Sequence, residues 1–270
     1  MSAAPSTNTW LLDRPAALAG LFYPRPDFAE DIPANCRDLS IPVAEGVALG
    51  ARCHLADSEA TTLLFFHGNG EIVRDYDDIG ALYVERGINF VAVDYRGGRS
   101  TGQPTASTML ADSHAVLDFV ADWLTQQGHV GPLLVMGRSL GSAAALELTC
   151  HPSDRIARLI LESAFAHTGP LLRRIGVNLA LLPGFEENQG FRQLDKIRTF
   201  AKPTLVIHAE HDHLIPFADG QALFDASPAP DKHLLKIPRA DHNTIFAVGL
   251  RAYLDSVESF ADPRRFDPAD

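Results

Sequence analysis

Six short apolar runs, separated by longer amphipathic stretches, constrain this chain more than any other feature. TTLLFF (61–66), INFVAVD (88–94), PLLVMG (132–137), RLILES (158–163), PTLVIH (203–208) and KHLLKI (232–237) are apolar at nearly every position. Such runs suit strands buried on both faces, as in a parallel sheet covered by helices. Between them the period changes. Ile79, Leu82, Tyr83 and Arg86 follow helical spacing, and residues 107–124 place Leu110, Leu117, Val120 and Leu124 on one stripe behind Ser107 as N-cap. Residues 140–150 and 243–260 read as two more helices, and 36–43 with 46–55 as a β-hairpin ahead of the alternating part. The alternation predicts a doubly wound, mostly parallel α/β sheet with its site at the C-terminal ends of the strands.

Residues 1–33 carry Pro5, Pro15, Pro24, Pro26 and Pro33, and read as an irregular extension packed on a main domain spanning 34–270. One interval breaks the strand–helix rhythm. From Ala164 to Lys202 the connection is longer than an ordinary crossover, and PLLRRIGVNLALLPG (170–184) within it is apolar enough to form a helix. An insertion of that kind above a sheet reads as a small helical lid over a site, the alternative being a long connection with no gating role.

With 270 residues, 46% of them hydrophobic, the chain can bury a large core, and single α/β domains reach this size. Its 23 basic and 34 acidic residues give a net charge of −11. That balance disfavours nucleic acid, whose binding needs clustered Lys and Arg, and offers no attraction to anionic lipid. A small or neutral partner fits better. Cys36, Cys53 and Cys150 are too few and too scattered for a disulfide framework. The first residues lack a signal-peptide pattern and no apolar run is long enough to span a bilayer, so a soluble cytoplasmic protein is expected.

Two five-residue stretches, GRSTG (98–102) and GRSLG (137–141), fit G-x-S-x-G, the pattern that places a nucleophilic serine on a tight turn. Such a turn needs a strand running straight into it and a helix starting straight after it. Around Ser139 both are present: LLVMG precedes it and LGSAAALELTC follows, with Ser142, Ala143 and Ala144 small enough for close helix–sheet packing. Around Ser100 neither is. Its strand ends at Asp94, and Pro104 forbids a helix from starting there. Ser139 is therefore the candidate nucleophile.

A serine hydroxyl needs a base, and the base needs an orienting acid; on sheets of this kind both follow the serine in chain order. Asp212 lies four residues past the apolar run 203–208, and His242 lies in the loop after the last one. Glu162, ending RLILES, is a rival acid. An oxyanion hole would combine the N–H of Leu140 with a donor from the turn after the third strand, His67-Gly68-Asn69-Gly70, at either Asn69 or Gly70. His67, Gly68, Arg138 and Glu162 are expected to support the site.

The segments FFHGNG, VDYRGGRSTGQP, GRSLGS, LVIHAEHDHLIP and ADHN occur in the order found in the α/β-hydrolase superfamily, over roughly residues 60–245. HGNG with the DYRG segment and GRSLGS is similar to the Bem46-like subgroup. The resemblance implies an α/β-hydrolase fold and a serine hydrolase. It also implies that the DYRG segment, which contains Ser100, is a loop beside the site.

Carboxylic ester cleavage through a Ser-His-Asp triad and an acyl-enzyme is the simplest expectation, with no metal or organic cofactor; peptidase and thioesterase chemistry share the same parts. Two other classes fit some residues. The run His208-Ala209-Glu210-His211-Asp212-His213 is dense in metal ligands, but a metallohydrolase would leave GRSLGS and HGNG unexplained. A non-catalytic small-molecule binding protein would fit the fold without needing all three triad residues.

Overall fold

All six apolar runs form strands. The computed structural model describes residues 11–25, 27, 31–97, 102–150, 154–262 and 264, so Ser100 and most of GRSTG lie outside the described residues. Strands β1 (Cys36–Ala44) and β2 (Val47–His54) make the hairpin. They are followed by β3 (Thr62–Phe66), β4 (Asn89–Val93), β5 (Leu133–Arg138), β6 (Arg158–Glu162), β7 (Thr204–Ala209) and β8 (Lys232–Ile237). The helices are α1 (Pro15–Leu21), α2 (Asp77–Val84), α3 (Ala106–Gln126), α4 (Gly141–Leu148), α5 (Thr168–Arg174), α6 (Gln193–Ile197), α7 (Phe217–Ala226) and α8 (Ile245–Ala261).

The sheet runs β1-β2-β4-β3-β5-β6-β7-β8, antiparallel across the first three strands and parallel from β4 onward. This is the doubly wound, mostly parallel sheet that the alternation predicts. Side chains alternate across each strand and so build two cores. Leu64, Phe66, Val91, Val135, Leu159 and Val206 face one way, with Val116, Val120 and Leu146 from α3 and α4. Leu63, Phe65, Phe90, Met136, Ile160 and Leu205 face the other, with Tyr83 of α2 and Leu254 and Val257 of α8. The chain steps from β3 to β4 on one side, then returns to β5 on the other. That reversal opens a crevice at the C-terminal ends of β3 and β5, where His67 and Ser139 follow.

Local structure departs from the sequence reading in four places. Helix α3 begins two residues early: Thr105 is its N-cap, its Oγ1 accepting the Thr108 N–H at 3.0 Å, and Ser107 sits in the first turn with its N–H on Asp13. Strand β8 is a sheet edge with alternating exposure, and its lysines suit an unpaired edge. The 170–184 stretch is not one helix, because Gly176 at φ +84° turns the chain out of α5 and only a short 3-10 turn, Leu179–Leu181, follows. The proline-rich start is not wholly irregular, because Pro15 sits at the beginning of α1, where its fixed φ favours a helix.

The 164–202 segment is tied to itself at its start and fastened to the body at its end. The Glu187 carboxylate accepts the N–H groups of Thr168 and Gly169 at the start of α5. At α6, Lys196 Nζ lies 2.7 Å from Glu147 of α4, and Gln193 donates to Ser142 Oγ at 3.2 Å. Among the described residues no helix is long and apolar enough to cross a membrane.

Candidate active site

Strand β5 delivers Ser139 into a turn with φ +50°, a left-handed conformation that a non-glycine residue keeps only when its surroundings enforce it. The enforcement is visible. A Cβ on Gly137 would stand 2.5 Å from the Gly141 carbonyl oxygen, and one on Gly141 would stand 2.1 Å from the Phe66 carbonyl oxygen. Both glycines of GRSLG are thus required by close backbone approach rather than by their own dihedrals. The Ser139 N–H donates to the Glu162 carbonyl at 2.9 Å, and Ser142 Oγ donates to the Ser139 carbonyl at 2.6 Å.

The turn after β7 brings in Asp212. One carboxylate oxygen accepts the N–H groups of Leu214 and Ile215 at 3.0 and 2.7 Å, and the other lies 2.7 Å from His242 Nδ1. His242 Nε2 lies 3.0 Å from Ser139 Oγ. Asp212 and His242 are 6% and 5% exposed, so the relay is shielded from water. Asp241, which the sequence reading passed over, shapes the histidine loop by accepting the N–H groups of Asn243 and Thr244 at 2.9 Å each.

Glu162 goes elsewhere. Its carboxylate accepts from Arg138 Nη1 at 2.6 Å and from the Tyr253 hydroxyl at 2.7 Å. Arg138 also donates from Nε to Glu71 at 3.0 Å and from Nη2 to the His242 carbonyl at 3.1 Å. Burial opposes the charge on Arg138, but Glu162 and Glu71 on either side hold it protonated, well above its ordinary pKa. Burial likewise works against the Glu71 carboxylate, but Arg138, Tyr76, His67 and the Gly68 N–H together outweigh it, so the pKa of Glu71 falls.

Glu71 organises the turn after β3. It accepts the Gly68 N–H at 2.6 Å and the Tyr76 hydroxyl at 2.5 Å. Gly68 therefore spends its N–H inside the turn, while Gly70 takes a φ of +75°. His67 is buried, with Nδ1 2.8 Å from the Gly68 carbonyl and Nε2 3.4 Å from Asp94. Burial disfavours its charge, yet Asp94 raises its pKa overall. The Asn69 side chain points to the N-terminal segment, accepting the Tyr23 N–H at 2.7 Å and donating to the Gly20 carbonyl at 3.1 Å.

The histidine-rich run does not converge. His208 is fully buried with Nε2 donating to the Ile215 carbonyl at 2.8 Å, whereas the His211 side chain is 67% exposed. Among the described residues no three His, Cys, Asp or Glu side chains gather as a metal site would require. Instead, Ser139 and His242 open onto a cavity of about 150 Å³ whose apolar wall is Leu21, Leu171, Ile175, Leu214 and Ile215.

Residues 57–184 match the family model described as serine aminopeptidase, S33. The chain is 28% identical over 185 residues to protein Bem46 of Schizosaccharomyces pombe, covering 67% of this chain and 61% of that one. It is 29% identical over 211 residues to alpha/beta hydrolase domain-containing protein 17B of Homo sapiens, covering 74% of this chain and 65% of that one. In both cases the match spans less than two-thirds of the relative's length. Among solved structures, an esterase from Pyrococcus furiosus superposes with a TM-score of 0.72 at 19% identity, covering 88% of this chain and 97% of that one. Eight strands in this order, the crossovers on both faces and the structural likeness agree on an α/β-hydrolase fold, and in sequence the chain is similar to the Bem46-like proteins.

Proposed function

We propose that the protein cleaves carboxylic esters through an acyl-enzyme, with Ser139 as nucleophile, His242 as general base and Asp212 as the acid that orients it. Ser139 Oγ attacks the ester carbonyl as His242 Nε2 takes its proton. Asp212 holds the other ring nitrogen as the N–H form and stabilises the imidazolium. The Leu140 N–H and a donor from the Asn69–Gly70 turn receive the oxyanion. Collapse expels the alkoxide, which takes the proton from His242, and a water molecule repeats the sequence to release the acid. The scheme draws only on this chain's groups and water. Residues 164–202 serve as its cover, supplying Leu171 and Ile175 to the cavity wall.

The observation that carries this reading is the relay from Ser139 through His242 to Asp212, at 3.0 and 2.7 Å, on a serine held in a left-handed turn. Ester is favoured over peptide by the cavity wall. Its one carboxylate among the described residues, Glu71, is already engaged by Arg138, Gly68 and Tyr76, leaving no counter-charge for a substrate ammonium.

The test is labelling with an organophosphonate probe and mapping of the adduct, alongside turnover of p-nitrophenyl esters, aminoacyl anilides and thioesters. An adduct at Ser139 with esters turned over fastest supports the proposal. Intact protein after labelling would favour a binding module, and faster anilide turnover would favour a peptidase.

A further inference from the structure

The turn assigned to the oxyanion also holds the start of the chain. Asn69 grips backbone groups on both sides of Leu21, accepting from the Tyr23 N–H at 2.7 Å and donating to the Gly20 carbonyl at 3.1 Å. One residue on, the Gly70 carbonyl accepts from Arg25 Nη1 at 3.1 Å, and the same guanidinium pairs with Asp75 at 2.6 Å. On its other side α1 is seated without slack, since a Cβ on Gly20 would stand 2.6 Å from Val177 Cγ2 of the insertion. Leu11, Leu12 and Ala17, each at most 1% exposed, anchor it below. The position of Leu21 is therefore fixed by the core, by the insertion and by the turn beside Ser139.

The Leu21 side chain, itself 1% exposed, forms part of the cavity wall with Leu171 and Ile175. A cavity of about 150 Å³, with Leu and Ile on its apolar side and Asn69, Glu71 and Asn243 on its polar side, has room for a benzene-sized group, roughly six carbons. We infer that Leu21 is a specificity-determining residue that closes this cavity to acyl chains much beyond six carbons, so that the substrates are esters of short, uncharged aliphatic acids. The inference rests on the ester hydrolysis proposed above. The wall supports an uncharged chain because its aliphatic side chains cannot solvate an ion, and the Glu71 carboxylate is already engaged by Arg138, Gly68 and Tyr76. One methylene in an apolar pocket is worth roughly tenfold or more in discrimination, so a single wall residue is enough to set chain length.

The experiment measures kcat/KM for p-nitrophenyl esters from acetate to dodecanoate with the wild type, Leu21→Ala and Leu21→Phe. The wild type should fall about tenfold or more between hexanoate and decanoate. Leu21→Ala should raise the decanoate-to-hexanoate ratio by about tenfold, and Leu21→Phe should move the optimum toward acetate. If Leu21→Ala does not fold, Leu21→Val, which removes one methylene, decides the question with a smaller shift in the same direction. A profile that is the same in every folded variant overturns the inference, as does a wild type that prefers decanoate. Organophosphonate labelling separates the two levels. An adduct at Ser139 with an unmoved profile overturns the role of Leu21 alone, whereas no adduct and no ester turnover overturn both. A shift seen only when the alcohol part is varied overturns the acyl assignment.

Discussion

Arg138, the residue immediately before Ser139, donates from Nη2 to the backbone carbonyl of His242 at 3.1 Å. The two residues are 104 positions apart, and the contact ties the serine turn to the histidine loop through a buried guanidinium. The same group reaches Glu162 at 2.6 Å and Glu71 at 3.0 Å, so it also fixes the end of β6 and the turn after β3. Replacing Arg138 by Met would leave the Glu162 side chain, 3% exposed, with Tyr253 but no counter-charge. Breaking one side of a buried pair costs about 3–5 kcal/mol, and urea unfolding of Arg138→Met should show a loss of that order. Adding Glu162→Gln should recover part of it; a single variant as stable as the wild type would rule out a structural role for the guanidinium.

Asp212→Asn should abolish most activity while leaving the fold intact. The oxygen that accepts from Leu214 and Ile215 sets the side-chain orientation, so an amide there would keep its carbonyl on those donors. Its NH2 would then face His242 Nδ1, which becomes an acceptor and carries its proton on Nε2, toward Ser139. A histidine in that tautomer cannot take the serine proton, and about a 10⁴-fold fall in kcat is expected. Ester kinetics beside a thermal melt measure both halves of the prediction, and activity within tenfold of wild type would exclude Asp212 as the orienting acid.

The meeting of Ser139, Asp212 and His242 was legible because each follows an apolar run that becomes a parallel strand, and parallel strands deliver their C-terminal ends to one edge. The glycines around Ser139 were legible for a local reason too, since a strand, a turn and a helix must pass within van der Waals contact there. Glu71 was not. Its partners Gly68, Tyr76 and Arg138 come from the turn, the following 3-10 turn and a different strand, and no periodicity links them. Leu21 was hidden differently: a seven-residue helix is too short to show a stripe, and Asn69 fixes it from some fifty positions away. The apolar run of β8 misled because periodicity cannot tell a central strand from an edge strand whose lysine stems lie along the sheet. The break at Gly176 followed from one left-handed residue inside an apolar stretch, where composition still favoured a helix.

Gly141→Ala is predicted to be among the most damaging single-methyl additions in the chain. The new Cβ would lie 2.1 Å from the Phe66 carbonyl oxygen and 2.6 Å from that of His67, both backbone atoms that cannot rotate away. To make room, α4 must lift from β3, which opens the core and displaces the serine turn. Overpacking of this kind costs about 1–3 kcal/mol and often more. Reduced soluble yield, a lowered melting temperature and loss of organophosphonate labelling are the expected outcomes. A variant that labels and melts like the wild type would contradict the packing described for the turn.

Glu147 makes stability depend on acid. It pairs with Lys196 of the insertion at 2.7 Å, and His114 lies 3.7 Å from its other oxygen. Burial opposes the carboxylate charge, but His114 and Lys196 outweigh it and hold its pKa at about 2. A carboxylate whose folded pKa lies below its unfolded value of about 4.5 adds stability that is complete above that value and is lost as pH falls toward about 2. Lys196 pulls the other way, because burial lowers its pKa although Glu147 raises it, so the pair's net worth is smaller than the carboxylate's own share. Glu147→Gln should therefore be less stable than the wild type at pH 7, and the two urea-unfolding curves should converge as the pH is lowered from about 4.5. The loss at pH 7 should centre on the insertion, visible as faster amide exchange over 193–199, since among the described residues α6 then keeps the Gln193–Ser142 hydrogen bond as its polar tie to the region around the serine turn. A gap between variant and wild type that stays constant from pH 7 to pH 3 would show that the pair contributes packing and not charge.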